Sequence, residues 1–107
     1  MSNFEVEVVV KKVEGYCAAG YKPGTSFIVR DFYILENQTE RICLHALGSM
    51  LTLLMPFLKG ISARDLGIGL TDDVGYIRCP DPGAPYTCGG SVLFELKRIK
   101  IRDSESE

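Results

Sequence analysis

The chain lacks tryptophan, has a single histidine and contains no two cysteines in a C-x-x-C spacing. Zinc ribbons and zinc knuckles present two sulfurs from one short turn, so the missing spacing argues against both classes. The only histidine, His45, follows Cys43 by two residues and lies about 200° away from it around a helix. The two side chains cannot share one metal ion from a regular helix, and the sequence indicates no cysteine–histidine catalytic pair.

An excess of basic residues is also missing, because 12 lysines and arginines stand against 14 aspartates and glutamates. Proteins that bind nucleic acid neutralise several phosphates with clustered basic side chains. The one basic run, Lys97–Arg102, alternates with Ile99 and Ile101, which is typical of one face of an edge strand. We therefore predict no nucleic-acid partner.

Long apolar runs are absent as well. The longest, Met50–Leu58, is interrupted by Thr52 and Pro56 and is much shorter than the roughly 20 residues that span a bilayer. The segment Ser2–Glu7 has neither the positive start nor the apolar stretch of a signal peptide. We expect a cytoplasmic protein with no membrane partner, in a compartment that keeps thiols reduced.

Apolar periodicity predicts four strands and one helix. Phe4–Val10 alternates as a half-buried strand does, and a helix is expected from Thr39 or Cys43 to Lys59. The other predicted strands are Phe27–Val29, with Phe32–Leu35 as a candidate continuation, Val74–Arg78 and one that begins at Ser91–Leu96. This ββαββ order predicts an α+β fold, with an antiparallel or mixed sheet and one long apolar helix on one face.

The C-terminal part of the chain carries two further signals. In the last strand the apolar alternation changes phase near Lys97–Arg98, which predicts a bulge or a change of pairing partner. The final stretch, Asp103–Glu107, is acidic and reads as a frayed tail. We therefore predict a single α+β domain over residues 1–102, followed by the tail at 103–107.

The predicted helix is apolar around most of its circumference. Its polar residues, Arg41, His45, Ser49 and Thr52, recur every three or four positions and form one narrow stripe. A helix that lies on one sheet needs an apolar face only a little wider than about 100°. The extra apolar surface predicts a homo-oligomer that forms through the helix Ile42–Leu58.

Three cysteines lie at the ends of predicted elements. Cys17 lies in the glycine-rich connection Gly15–Phe27, Cys43 lies at the helix start, and Cys79 opens the turn Cys79–Pro82. Cys88, which two glycines follow, is a candidate fourth thiolate. Free cysteine is also a common core residue, so simple packing is an alternative for each of them, above all for Cys43.

These motifs together resemble a family of short, uncharacterised bacterial and archaeal proteins. Members carry C-x-x-G-[HY]-K-x-G-[DT]-x-F, a cysteine at the helix start and a C-P-D-P turn before the last strand. This chain matches at Cys17–Phe27, at Cys43 and at Cys79–Pro82. The resemblance implies that Cys17, Cys43 and Cys79 are the family cysteines and that Cys88 is particular to this chain. It also implies that Tyr21 stands where a histidine is common.

Three functions are compatible with these residues. The first is a small binding protein that holds zinc or an iron–sulfur cluster through Cys17, Cys43 and Cys79, with Cys88 as an optional fourth ligand. The second is a thiol-based sulfur-transfer or redox protein in which Cys17 is the nucleophile and a second cysteine resolves. The third is a structural homo-oligomer whose cysteines only pack. We favour the first, and the sequence leaves open whether the chain is an enzyme.

Overall fold

The computed structural model describes residues 4–15, 20–35, 42–79, 85–86 and 90–101, which form an α+β fold. The elements in chain order are β1 (Phe4–Glu14), β2 (Ser26–Arg30), β3 (Tyr33–Ile34), α1 (Leu44–Leu58), β4 (Val74–Arg78) and β5 (Ser91–Lys100). The α+β class is confirmed. The predicted ββαββ order is wrong by one strand, because the described chain runs βββαββ.

The additional strand arises from a tight hairpin. Asp31 and Phe32 form a two-residue loop that pairs Arg30 of β2 with Tyr33 of β3. Asp31 has a φ of 55°, a left-handed conformation that aspartate tolerates better than most residues. The loop contains neither Asn-Gly nor Asp-Gly, the usual sequence signals of such a hairpin, so the sequence pattern does not separate β3 from β2.

The sheet has the strand order β3-β2-β1-β5-β4, and all neighbouring strands are antiparallel. Val6, Val8 and Val10 of β1 are buried, as their alternation predicts. The break in register lies in β1, between Val10 and Lys12, and the prediction of a bulge or partner change at Lys97–Arg98 is wrong. The prediction of an edge strand is wrong too, because β5 lies between β1 and β4.

Arg98 explains why the apolar phase changes near the end of β5. It pairs in register with the buried Val6, and its side chain is only 5% exposed. The guanidinium donates hydrogen bonds to the carbonyl oxygens of Phe57, Ile61 and Asp72 and to the carboxylate of Asp73, at 2.8–3.1 Å. Arg98 therefore ties the end of α1 and the loop that follows it to the sheet.

The helix α1 contributes five buried residues to the core: Ala46, Met50, Leu54, Phe57 and Leu58. The sequence predicts a helix from Thr39 or Cys43 to Lys59, and the structure has it from Leu44 to Leu58, while Thr39 lies outside the described residues. Several apolar side chains of α1 remain exposed. Within the described part of the chain, no helix has the length and apolar character needed to cross a membrane.

Candidate cysteine site

Three strands meet at one end of the sheet, which we call the cysteine end. There β1 finishes at Glu14, which pairs with Ser91 at the beginning of β5. Beside them β4 finishes at Arg78, and the next residue, Cys79, donates its backbone N–H to the carbonyl oxygen of Val92 at 2.9 Å. The antiparallel pairing of β4 with β5 therefore fixes the backbone of Cys79 at this end.

Tyr21 attaches the start of α1 to the same end. Its hydroxyl accepts a hydrogen bond from the backbone N–H of Cys43 at 2.6 Å. Its ring packs edge-on against Phe94 of β5, with ring centroids 5.9 Å apart and an interplanar angle of 89°. Tyr21 is buried, and the turn Lys22–Thr25 follows it directly. Tyr21 thus links the backbone of Cys43 to β5.

The turn that follows Tyr21 has a clear sequence origin. Thr25 N–H donates to the carbonyl oxygen of Lys22 at 3.0 Å, with Pro23 and Gly24 between them. Gly24 has a φ of 96°, so the turn needs glycine there, and proline suits the preceding position. The next hydrogen bonds join this turn to Val10 of β1. The second half of the glycine-rich motif therefore returns the chain into the sheet and sets the position of Tyr21.

Cys43 is the N-cap residue of α1. Its backbone is extended, with φ −73° and ψ 131°, and its own side chain makes no capping hydrogen bond. The first turn of α1 contains no acidic residue. The N-terminus of a helix carries partial positive charge, which favours an anion placed there. This cap position therefore suits a thiolate.

The structure locates two of the four candidate ligands. Neither Cys43 nor Cys79 forms a disulfide. Both are half-buried and packed against the hydrophobic core, Cys79 at the cysteine end and Cys43 joined to β5 through Tyr21. Cys17 and Cys88 lie outside the described residues. Among the residues that the structure does describe, no three histidine, cysteine, aspartate or glutamate side chains form a group able to hold a metal. The convergence of Cys17, Cys43 and Cys79 therefore stays a prediction.

The described residues next to Cys17 and Cys88 lie close together. Gly15 has a φ of 77°, and a Cβ added to it would come within 3.2 Å of the Cα of Gly90. A side chain at Gly15 would thus be strained by its conformation and would crowd the neighbouring strand. The segment that contains Cys17 starts after Gly15, and the segment that contains Cys88 ends before Gly90. These two glycines adjoin each other at the cysteine end.

A second polar cluster surrounds the carboxylate of Glu95, which is buried although it lies on the sheet face that carries the charged side chains. Tyr76 donates its hydroxyl to this carboxylate at 2.8 Å, and the ammonium groups of Lys11 and Lys97 lie 3.7 and 3.6 Å away. The hydrogen bond from Tyr76 is the main cause that lowers the pKa of Glu95, although burial opposes it, and the two lysines contribute further. The same bond raises the pKa of Tyr76.

The direction of the shift defines how this cluster responds to pH. The pKa of Glu95 is lower in the folded protein than in the unfolded chain. The ionised Glu95 carboxylate therefore stabilises the fold fully at a pH above its pKa in the unfolded chain, and this stabilisation is lost as the pH falls through its pKa in the folded protein. The carboxylate has partners on both neighbouring strands, so we assign it a structural role.

Comparisons with known proteins give no relative: no model of a protein family, no curated protein and no solved structure matches this chain. The resemblance carried by the cysteine motifs therefore stays a prediction.

Sequence reasoning missed the role of Tyr21. The only signal was its place in the first motif, four residues after Cys17, where the pattern allows tyrosine or histidine. That pattern does not reveal a hydrogen bond to a residue 22 positions away. Tyr21 is the described side chain that connects the glycine-rich motif to the start of the helix.

We expect Tyr21→Phe to lower the free energy of unfolding by about 1 kcal/mol, because the ring still packs on Phe94 but the Cys43 N–H loses its acceptor. Urea denaturation measures the change. Tyr86→Phe is the matched control, since Tyr86 is exposed and its substitution should leave stability unaltered. Equal stability of the Tyr21 variant and wild type would show that the hydroxyl does not hold Cys43.

Proposed function

We propose that this protein binds a metal ion or an iron–sulfur cluster through the thiolates of Cys17, Cys43 and Cys79. The observation that supports the proposal most strongly is where the structure has Cys43 and Cys79, together with Gly15 and Gly90, the described residues nearest to Cys17 and Cys88. Cys43 contacts β5 through Tyr21, Cys79 is bonded to β5 directly, and Gly15 adjoins Gly90. Cys79, Gly15 and Gly90 lie at the cysteine end, and Cys43 is linked to β5 near this end through Tyr21 and Phe94.

Chain length limits where the remaining cysteines can be. Two residues span at most about 7 Å between Cα atoms when fully extended. Cys17 is two residues from Gly15, and Cys88 is two residues from Gly90. Both therefore stay within reach of the end of β1 and the start of β5. The connection that contains Cys17 leads directly into Tyr21, whose hydroxyl accepts the hydrogen bond from the Cys43 N–H.

The chemistry of such a site is that of soft ligands. Thiolates bind zinc at about 2.3 Å and hold the iron atoms of iron–sulfur clusters, so the three sulfurs would lie within about 4 Å of one another. Three thiolates leave one coordination position for Cys88, water or an external sulfur. The N-terminus of α1 at Cys43, whose first turn contains no acidic residue, partly compensates the negative charge that the thiolates bring together.

We expect Cys17→Ser and Cys43→Ser to abolish most of the bound metal, because serine keeps the approximate size but removes the soft thiolate. Cys88→Ser is the matched control and should retain metal at the wild-type level. Elemental analysis of protein purified without oxygen measures the metal-to-chain ratio of each variant. Circular dichroism shows whether each variant is folded.

Three results would argue against this proposal in different ways. Equal metal loss in the Cys17 and Cys88 variants would make Cys88 an obligatory fourth ligand. Full retention in the Cys17 and Cys43 variants would remove both from any metal site. A metal-free wild type in which Cys17 alone reacts rapidly with a thiol reagent would instead favour sulfur-transfer or redox chemistry.

A further inference from the structure

The outward side of α1 presents apolar residues in a heptad spacing. Leu44, Gly48, Leu51 and Met55 follow one another at intervals of four, three and four residues, and all four are exposed. This is the spacing by which two helices pack side by side with interlocking side chains. The helix contains no aspartate, glutamate, lysine or arginine. A solvent-facing helix usually carries charge on its outer face, so α1 is unusual as a free surface.

The glycine in this stripe has no explanation within a single chain. A Cβ added at Gly48 would meet no atom within 4 Å, and its φ is not in the left-handed region. Glycine in the interior of a helix costs about 1 kcal/mol relative to alanine. A second helix that approaches closely at this point would use the space, because glycine leaves a hole for a large side chain of the neighbour.

The apolar surface continues from α1 onto the β2–β3 hairpin. A groove of about 140 Å³ lies between them, and its walls include Phe32, Tyr33, Leu47, Leu51 and Met55. The large exposed side chains here are between 37% and 81% accessible: Phe32, Tyr33, Leu44, Leu51 and Met55. At about 200 Å² for a fully exposed side chain, they offer roughly 600 Å², against about 800 Å² per partner in a standard interface.

The rest of the given sequence does not supply a cover for this surface. The stretches outside the described ranges are 1–3, 16–19, 36–41, 80–84, 87–89 and 102–107. Their only large apolar residues are Met1 and Tyr16. None of these stretches holds the apolar residues needed to fill the groove and cover the stripe, whereas a second copy of this chain does.

We propose that two copies of this chain form a two-fold dimer in which their α1 helices pack antiparallel. The stripe is symmetric about the midpoint between Gly48 and Leu51, since Leu44 and Met55 lie equally far from it. In an antiparallel pair each Leu51 enters the space at Gly48 of the other copy, and Leu44 meets Met55. A parallel pair would place glycine against glycine and leave two gaps. Antiparallel helix dipoles also attract each other.

This dimer is independent of the metal site and is tested by sedimentation velocity over a range of protein concentrations. The wild type should be a dimer, and Leu51→Glu should weaken dimerisation about 100-fold or more, because it buries a charge at the centre of the contact. Thr52→Glu adds the same charge one position away, off the stripe, and should remain dimeric. Both substituted residues are exposed, so both variants should fold.

The register is tested by a second pair of variants. Gly48→Lys should be monomeric alone, but an equimolar mixture with Leu51→Glu should form a heterodimer, because positions 48 and 51 face each other in the antiparallel pair. A monomeric wild type, equal dimerisation of the Leu51 and Thr52 variants, or a mixture that stays monomeric would each overturn the proposal.

Discussion

Replacing Arg98 with methionine is expected to lower the free energy of unfolding by about 3–5 kcal/mol, a large part of the stability of a domain of this size. Methionine has a similar length but cannot donate to the three backbone carbonyls that Arg98 satisfies at the end of α1 and in the following loop. The guanidinium also lies over the rings of Phe4 and Phe57, 4.5 and 4.7 Å from their centroids. Those cation–π contacts are lost as well.

Two further variants make the Arg98 prediction specific. Arg98→Lys keeps the charge but loses the planar guanidinium that donates to several acceptors at once. We therefore expect the free energy of unfolding to fall by an intermediate amount, about 2 kcal/mol. Arg78→Met removes an arginine that pairs with Glu14 at a half-exposed position, and its cost should stay below about 1 kcal/mol. Urea denaturation measures all three. Equal small losses for Arg98→Met and Arg78→Met would mean that Arg98 does not hold the helix end.

The second large effect is expected at Gly69, where alanine should lower the free energy of unfolding by about 3 kcal/mol. A Cβ at this position would overlap the backbone carbonyl oxygen of Val74 and crowd the Cβ of Ala63. Neither atom can move away by a side-chain rotation. The loop is also held to β4 by the Tyr76 N–H, which donates to the carbonyl oxygen of Ile68 at 2.7 Å. The backbone at Gly69 is therefore confined.

Gly75→Ala is the matched comparison, because its Cβ would meet the terminal atoms of the Ile68 side chain, the nearest at 2.6 Å. A flexible side chain can rotate away, so we expect a smaller loss of about 1 kcal/mol. Thermal unfolding of the two variants, measured in parallel, gives the difference. A Gly69 variant at least as stable as the Gly75 variant would show that the loop can move off β4.

The sequence predicted those elements whose signal is local. The alternation of β1 and the apolar run of α1 are properties of neighbouring residues, and both elements form close to where the pattern indicates. Phe32–Leu35 is predicted only as a continuation of the second strand, because the left-handed residue of the hairpin loop is Asp31 and not the usual glycine or asparagine. The pairing of β2 with β3 on the two sides of the loop outweighs the weak preference of aspartate against a left-handed conformation.

Arg98 was misread for a different reason. An arginine in a basic run, Lys97–Arg102, is most simply read as a solvated side chain. Its partners Phe57, Ile61 and Asp72 are 41, 37 and 26 positions away in sequence. No pattern among nearby residues reveals that three distant carbonyls lack donors and meet at one point. The same limit applies to Tyr21 and Cys43 in the candidate site.

The prediction that Cys43 and Cys79 lie at element ends is confirmed, because element ends follow from the local patterns. Cys43 precedes α1 directly, and Cys79 follows β4 directly. The end of the sheet at which each of these elements begins or finishes depends on the topology, which the sequence alone did not determine. The antiparallel order of β1, β5 and β4 brings Glu14, Arg78 and Ser91 together.

The most direct test of the cysteine site is a combined metal and thiol analysis of the wild-type protein, purified without oxygen. The account predicts zinc or iron bound to each chain, with an iron–sulfur absorption band if the metal is iron. It also predicts that, without denaturant, a chelator raises the number of reactive thiols from the one that the bound metal leaves free towards all four cysteines. A metal-free protein whose thiol count is unaffected by the chelator would contradict the account.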